Sequence, residues 1–318
     1  MASTENALPT EVAFELLGHQ GAVRAVRFNR TGSYCLTCGS DRTVRLWNPH
    51  KGLPVKSYSG HGAEVLDADS SHDNSRIVSG GVDKLVLLLD VGTGQPIRKL
   101  RGHLSRINCV KFNEEATLII SGSYDASVRI WDCRTRVHDP VQVMDEAKDS
   151  VTSLRLTNSE ILTGSVDGKV RRYDMRFGKL FTDTIGQSVT CVSHSHDGHC
   201  VLVSTLDSKL RLFDKDSGEM LNEYSGHVNS DYKLDSCLSQ DDSHVISGSE
   251  DGRVCFWDLV EGHLVHTLQL SKKGDRKPPI VYSLCWHPTR PTLLSAGSHG
   301  PVTVWKPTGW REQDDDEQ

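Results

Sequence analysis

The sequence predicts an all-β protein, a propeller of seven four-stranded blades, and three observations predict it. Residues 117–132, TLIISGSYDASVRIWD, combine an apolar run, a Gly/Ser turn with an Asp, an alternating run and Trp-Asp. The same unit recurs with the turn residue and the closing residue six positions apart, as Asp41/Trp47, Asp83/Leu89, Asp125/Trp131, Asp167/Tyr173, Asp207/Phe213, Asp251/Trp257 and His299/Trp305. The closing residues follow one another at intervals of 42, 42, 42, 40, 44 and 48 residues, the period of propeller blades.

Each repeat predicts the same order of strands. In the first, VRAVRF (23–28), a turn at 29–32, YCLTC, a tight turn at the Asp, TVRLW and LPVKSYS follow one another. The strands alternate in polarity and the turns carry Gly, Asn, Asp and Ser, as antiparallel meanders require. We therefore expect little helix, and a propeller that covers residues 11–308.

The two ends of the chain carry a strand and two polar segments. Residues 12–17, VAFELL, form a lone strand pattern, whereas the seventh repeat lacks a fourth strand after Trp305. We expect the first strand to complete the last blade and so close the ring. Residues 1–10 are polar and residues 309–318 contain the acidic run DDDE, so both segments are expected to be disordered.

Charge and composition exclude several classes of protein. The 318 residues carry a net charge of -6, so no general positive field favours direct binding to nucleic acid. No apolar run has the length of a membrane span, and the N-terminus lacks the pattern of a signal peptide. Nine cysteines without framework spacing read as reduced, buried side chains. We expect a soluble intracellular protein that is not inserted in membranes.

The recurring His, Ser/Thr, Asp and Trp residues resemble the pattern of WD-repeat propellers over nearly the whole chain. The resemblance implies a hydrogen-bonded set of four side chains within a blade, because a buried Asp and a buried indole N–H each need a partner. Complete structural sets occur three times: His19, Thr37, Asp41, Trp47; His103, Ser121, Asp125, Trp131; and His227, Ser247, Asp251, Trp257. The second repeat has His61, Ser79 and Asp83 but ends in Leu89, whereas the fourth, fifth and seventh lack Gly-His.

The same residue types could suggest a hydrolase triad. A trio that recurs at fixed spacing in several repeats is structural, because an active site needs one copy with an exposed nucleophile. The sequence has no phosphate loop, G-x-S-x-G motif or H-E-x-x-H motif. We therefore expect no enzymatic activity, no catalytic residues, no metal site and no cofactor.

A binding surface is predicted where each blade turns at its Asp. The residue before that Asp should lie on one rim of the propeller, which gives the set Ser40, Val82, Tyr124, Val166, Leu206, Glu250 and Ser298. Blades two to five would present an apolar arc there, flanked by Glu64 and Arg106 from adjacent loops, and such an arc suits protein docking. The alternative is that some of these side chains pack against neighbouring turns.

Two further motifs offer alternative binding sites. The insertion KKGDRK (272–277) could contact an acidic partner or an RNA phosphate, or form a solvated loop. WDCR and YDMR place Arg134 and Arg176 after Trp-Asp-like pairs. They resemble the box by which some WD-repeat substrate receptors dock onto the adaptor of cullin-RING ubiquitin ligases, although both could simply pair with acidic loop residues.

Longer stretches carry a closer resemblance. VRAVRFN, YSGHGAEVLD, KFNEEATLIISGS, GSVDGKVRRYDMR and SEDGRVCFWDLVEG are similar to a WD-repeat scaffold of the mitogen-activated protein kinase (ERK) cascade, from about residue 18 to 262. The resemblance implies a monomeric protein-protein scaffold of the cytoplasm and nucleus. Its partners would be kinase-cascade components and adaptors, with spliceosomal (pre-mRNA splicing) proteins as a second setting. The seventh repeat matches less well.

Overall fold

A computed structural model describes residues 7–157, 159–270 and 278–310. Within these residues the chain forms strands and no helix, arranged as seven four-stranded antiparallel sheets. Each sheet is one blade, so the predicted all-β propeller of seven blades is confirmed. The predicted insertion at 272–277 and most of the predicted disordered ends fall outside the described residues.

The blades follow the chain in order, and strands are numbered from the N-terminus. Blade 1 contains β2 (Val23–Phe28), β3 (Cys35–Gly39), β4 (Val44–Asn48) and β5 (Leu53–Tyr58). Blade 2 contains β6 (Val65–Ser70), β7 (Arg76–Gly81), β8 (Leu85–Asp90) and β9 (Pro96–Arg101). Blade 3 contains β10 (Ile107–Phe112), β11 (Leu118–Ser123), β12 (Val128–Asp132) and β13 (Gln142–Met144). Blade 4 contains β14 (Val151–Leu156), β15 (Glu160–Ser165), β16 (Lys169–Asp174) and β17 (Lys179–Thr184).

The remaining blades follow the same plan. Blade 5 contains β18 (Val189–His194), β19 (Cys200–Thr205), β20 (Lys209–Asp214) and β21 (Met220–Ser225). Blade 6 contains β22 (Ser236–Leu238), β23 (His244–Gly248), β24 (Arg253–Asp258) and β25 (Leu264–Gln269). Blade 7 contains β26 (Val281–Trp286), β27 (Leu293–Gly297) and β28 (Val302–Lys306), and β1 (Glu11–Leu16) is its fourth strand.

The N-terminal strand closes the ring as predicted. β1 pairs antiparallel with β28, with Val12 opposite Trp305 and Leu16 opposite Val302. Leu16 is buried at 1% exposure and belongs to one apolar cluster with Val26 of blade 1 and Val304 of blade 7. The first strand therefore joins the two ends of the chain by main-chain hydrogen bonds and by side-chain packing.

We expect Leu16→Ala to lower the free energy of unfolding by about 2 kcal/mol, because it leaves a cavity in the cluster that closes the ring. Leu17→Ala is the matched control, since its side chain is 66% exposed and surface changes cost about 0.5 kcal/mol or less. Chemical denaturation of the two variants measures the difference. Equal losses would show that β1 does not contribute its packing to closure.

The blades place two sets of loops on opposite rims. We call the rim where the second and third strands of each blade join, at the turn Asp, the Asp rim, and the other the opposite rim. In all seven blades the residue before the turn residue donates its backbone N–H to a carbonyl of the segment that enters the blade. The pairs are Ser40 to Ala22, Val82 to Glu64, Tyr124 to Arg106, Val166 to Ser150, Leu206 to Ser188, Glu250 to Val228 and Ser298 to Ile280.

Glycine before several of these residues allows that close approach. A Cβ at Gly39 would lie 2.2 Å from the carbonyl oxygen of Ala22, and one at Gly81 would lie 2.5 Å from that of Glu64. Both distances are far below the van der Waals contact distance, so a side chain at either position would clash. The glycine two residues before the turn Asp thus permits the close backbone approach at the Asp rim in blades 1 and 2.

Candidate protein-interaction site

The predicted set of four side chains forms in blades 1 and 3. In blade 3 the Trp131 indole donates to Ser121 Oγ at 2.9 Å, and Ser121 Oγ lies 2.8 Å from His103 Nε2. His103 Nδ1 lies 2.9 Å from Asp125. A hydroxyl that accepts from the indole donates to the imidazole, which leaves the other ring N–H for the carboxylate. In blade 1, His19, Thr37, Asp41 and Trp47 make the same three contacts at 2.7 to 2.9 Å.

The sixth blade does not form the predicted set, and the prediction for His227, Ser247, Asp251 and Trp257 is wrong in this respect. The Trp257 indole donates to the carbonyl of Ser225 at 2.9 Å, and the Ser247 hydroxyl donates to the carbonyl of Gly248 at 3.0 Å. Neither ring nitrogen of His227 has a hydrogen-bond partner among the described residues. Because the backbone already satisfies the indole and the hydroxyl, the chain of side chains is broken at both ends.

Burial of His227 has a consequence for acid stability. Burial lowers the pKa of His227 to about 4, with the Asp251 carboxylate opposing the shift. The ordinary value in an unfolded chain is about 6.5. The unfolded state therefore binds more protons between these two pKa values, and His227 lowers the stability of the folded state as the pH falls from about 6.5 to 4.

We expect the melting temperature of His227→Gln to fall less over this pH window than that of the parent chain. His138→Gln is the matched control, because the His138 side chain is exposed, and it should behave like the parent chain. Equal losses in all three proteins would contradict this prediction.

Arginine takes the place of the missing histidine in blades 4 and 5. Arg171 donates to Ser165 Oγ at 2.8 Å and to Asp167 at 2.6 Å. Burial acts to raise the pKa of Asp167, but the bonds from Arg171 and Ser165 dominate and hold it at about 2. Blade 5 repeats the arrangement, with Arg211 donating to Thr205 at 2.7 Å and to Asp207 at 2.6 Å. Sequence reasoning missed both, although an Arg four residues after the Asp in a repeat that lacks Gly-His was the available signal.

The predicted rim residues differ in exposure. Val82 and Tyr124 are 39% and 52% exposed, whereas Val166 and Leu206 are half-buried. The exposed part of the arc is therefore centred on blades 2 and 3. Leu104, which the sequence analysis did not select, is 76% exposed on the same rim. Its backbone N–H donates to Asp125 at 2.7 Å, which holds the loop in place.

Arginine and tyrosine pairs lie beside this arc. The Arg106 guanidinium lies 4.5 Å from the centre of the Tyr124 ring, a distance at which cation–π attraction operates. Arg24 lies 4.5 Å from the Tyr282 ring and donates to Glu64 at 2.6 Å. Arg24, Glu64, Val82, Arg106, Tyr232 and Tyr282 line one cavity of roughly 370 Å³. The structure thus brings Glu64, Val82 and Arg106 together at the mouth of the central channel, with Tyr124 at its edge.

Glu250 has a different role from the predicted one. One oxygen of its carboxylate accepts the backbone N–H groups of Ser230, Asp231 and Tyr232 at 2.8, 2.8 and 3.0 Å. The other accepts the Ser230 hydroxyl at 3.0 Å. Burial would raise the pKa of Glu250, but these N–H groups keep it below its usual value. Glu250 holds the insertion that precedes blade 6, and so positions Tyr232 at the channel mouth.

The two arginines of the alternative docking motif lie on the opposite rim, and both pair within their own repeat. Arg134 donates to both oxygens of Asp132 at 3.1 and 3.0 Å, and Arg176 reaches Asp174 at 3.5 Å. Their side chains are 68% and 63% exposed. Pairing with the Asp that ends the third strand of the same blade therefore accounts for both positions, and adaptor docking stays a prediction. Among the described residues no group of side chains is placed to hold a metal ion, and no helix could cross a membrane.

Seven blades with no helical insert among the described residues, held together internally by repeated polar networks and presenting exposed loops on two rims, define a propeller of the WD-repeat class, which is an interaction scaffold. The chain belongs to the family described as "WD domain, G-beta repeat", whose model matches residues 10–48, 52–90, 94–132, 179–214 and 218–258. The resemblance found in the sequence is thereby confirmed. The repeats that end at Tyr173 and Trp305 are not matched, and these lack the Gly-His pair.

Relatives with the same repeats cover most of the chain. WD repeat domain-containing protein 83 of Rattus norvegicus is 61% identical over 287 residues, 90% of this chain and 89% of the relative. The protein of that name from Homo sapiens is 60% identical over 295 residues, 93% of this chain and 91% of the relative. The WD repeat domain-containing protein 83 homolog of Dictyostelium discoideum is 34% identical over 320 residues, 91% of this chain and 96% of the relative.

Proposed function

We propose that this propeller is a non-enzymatic scaffold that organises components of the mitogen-activated protein kinase (ERK) cascade and also associates with spliceosomal complexes. The choice of partners rests on the sequence resemblance, and the docking surface rests on geometry. The protein would act in both cytoplasm and nucleus. One observation supports this choice of docking surface. The exposed Tyr124 side chain stacks with Arg106 beside Val82 at the mouth of the channel.

The residue types at this mouth suit protein recognition. Tyrosine and arginine are enriched among the residues that dominate binding energy, since each combines a large apolar area with a polar or charged tip. Tyr124 is held by its backbone bond to Arg106, so little ordering is needed when a partner binds. Glu64 and Arg24 add a neutralised pair at the edge, which can set orientation.

We expect Tyr124→Ala and Arg106→Glu each to weaken capture of kinase-cascade proteins by at least about tenfold. Each change removes one member of the stacked Tyr124–Arg106 pair at the centre of the proposed surface. Quantitative affinity purification of the full chain measures this. Both variants should melt at the temperature of the parent chain, since exposed positions contribute little to stability.

Matched controls come from the opposite rim. Tyr34→Ala changes a tyrosine of 39% exposure, and Arg136→Glu reverses an exposed charge. Both controls should retain capture. Unaltered capture by the Tyr124 and Arg106 variants, or equal loss in the controls, would reject the Asp rim as the docking surface.

The spliceosomal association and the alternative role as a ligase receptor are tested by separate experiments. Splicing proteins that stay bound after nuclease treatment would support the spliceosomal association, whereas complete release would indicate tethering through RNA. Recovery of a cullin-RING adaptor that is lost in Arg134→Ala combined with Arg176→Ala would replace the scaffold by a ligase receptor. The first outcome is the one we expect.

A further inference from the structure

The opposite rim has a cavity with an unusual balance of polar groups. It occupies roughly 380 Å³ where the first strands of blades 4 to 7 end. Its polar lining consists of Arg27, Arg155, Thr157, Ser193, His194, Ser195, His196 and His287, together with the Trp286 indole. No Asp or Glu is among the described residues that line it. The channel mouth on the Asp rim, in contrast, includes Glu64 and Asp231.

Several polar groups in this lining have no hydrogen-bond partner among the described residues. Ser193 is 6% exposed, and its hydroxyl has no hydrogen-bond partner among the described residues. The same holds for the Trp286 indole N–H and for both ring nitrogens of His194. Burial, followed by the nearby Lys215 charge, lowers the pKa of His194 to about 4, so its imidazole is neutral near pH 7. Buried polar groups without partners are costly, and they are typical of places where a ligand completes the bonding.

One of the two guanidinium groups that line this cavity has no direct ion-pair partner. Arg27 is paired with Asp235 at 2.7 Å and with Asp67 at 3.0 Å. Arg155 has no carboxylate within 4.0 Å in the part of the chain that the structure describes, and it donates to the carbonyl of Leu154 at 3.2 Å. Glu160, whose field reaches His194, is itself paired with Lys215 at 3.0 Å. The Arg155 guanidinium therefore makes no direct ion pair, although the Asp235 carboxylate feels its charge, and it lies next to several polar groups without hydrogen-bond partners.

We propose that this cavity binds a phosphate group, with Arg155 as its counter-ion and Ser193, His194 and Trp286 as hydrogen-bond donors. A phosphate offers acceptor oxygens in several directions, and bonds from a guanidinium to phosphate are among the strongest that side chains make. The group could be carried by a phosphoserine peptide or be free inorganic phosphate. The site lies on the rim opposite the proposed docking surface, so it does not depend on the proposed function.

The test is a binding titration of the full chain with a fluorescein-labelled Gly-phosphoserine-Gly tripeptide, followed by fluorescence anisotropy. We expect saturable binding that inorganic phosphate competes away and that the unphosphorylated tripeptide does not. A tighter hold on the phosphopeptide than on inorganic phosphate would identify a peptide-borne group, and equal affinities would identify the free ion. Either result supports the site.

Three variants locate the binding. Arg155→Gln and Ser193→Ala should each weaken it by about tenfold. Arg134→Gln removes an exposed charge from the same rim and should leave it unchanged. Circular dichroism checks that each variant is folded. If Arg155→Gln is unfolded, the affinity of Ser193→Ala alone tests whether the phosphate binds in this cavity. An absence of saturable binding, or equal affinity in the parent chain and Ser193→Ala, would overturn the proposal.

Discussion

Replacing Arg27 by alanine is expected to lower the free energy of unfolding by about 4 kcal/mol. The side chain is 8% exposed and joins three parts of the ring, with Nη1 2.7 Å from Asp235 and Nη2 3.0 Å from Asp67. Both carboxylates are buried, at 4% and 1% exposure. Without the guanidinium two carboxylates would face each other in a medium of low polarity, which is the costly result of breaking a buried ion pair.

Arg30→Ala is the matched control for Arg27→Ala. Arg30 is three residues away and also forms an ion pair, with Glu114 at 2.7 Å, but its side chain is 57% exposed. An exposed pair contributes up to about 1 kcal/mol. Thermal and chemical denaturation should separate the two variants clearly. A loss for Arg27→Ala no larger than that of the control would show that the network does not hold the blades together.

Asp125→Ala in blade 3 is expected to cost about 3 kcal/mol, because it leaves His103 and two backbone N–H groups without their acceptor. Asp125 accepts from His103 at 2.9 Å, from Leu104 at 2.7 Å and from Ser127 at 3.0 Å. Its counterpart in blade 6 provides the comparison. Asp251 bonds Arg253 and makes no hydrogen bond to His227.

The blade 6 variant, Asp251→Ala, should therefore cost only about 1 kcal/mol. Parallel denaturation of the two alanine variants measures the contrast. Equal losses would mean that the hydrogen-bonded set of four adds nothing beyond the turn itself. A larger loss for Asp251→Ala would reverse the assignment of the two networks.

Periodicity predicted the fold because the blade is a local unit. Strand order, turn positions and the six-residue spacing all lie within about 40 residues, so one repeat informs the next. Closure by β1 was also predictable, since a lone strand and a blade short of one strand require each other. The sets in blades 1 and 3 followed from the same logic of satisfied polar groups.

Contacts between distant blades could not be predicted in this way. Arg27 pairs with Asp235, which is 208 residues away, and no repeat pattern relates these two positions. The failure in blade 6 has a similar cause, because the residue types match the motif while the indole and hydroxyl find backbone acceptors instead. Spacing specifies which groups are near, but not which of several acceptors each donor uses.

The candidate site was predictable only in part. Equivalent backbone positions placed Val82 and Tyr124 on one rim, and Arg106 beside them. The exposed Leu104, the stacking of Arg24 on Tyr282 and the use of Glu250 as a loop anchor depend on side-chain directions. A repeat alignment does not contain those directions, since loops differ from blade to blade.

We propose that partners dock on the Asp rim around Tyr124. Affinity purification of the full chain with lysine cross-linking and mass spectrometry tests it most directly, because exposed lysines mark both rims. Lys84 and Lys148 lie on the Asp rim, and Lys51 and Lys179 lie on the opposite rim. We predict cross-links from kinase-cascade proteins to Lys84 and Lys148. Cross-links confined to Lys51 and Lys179 would contradict the claim.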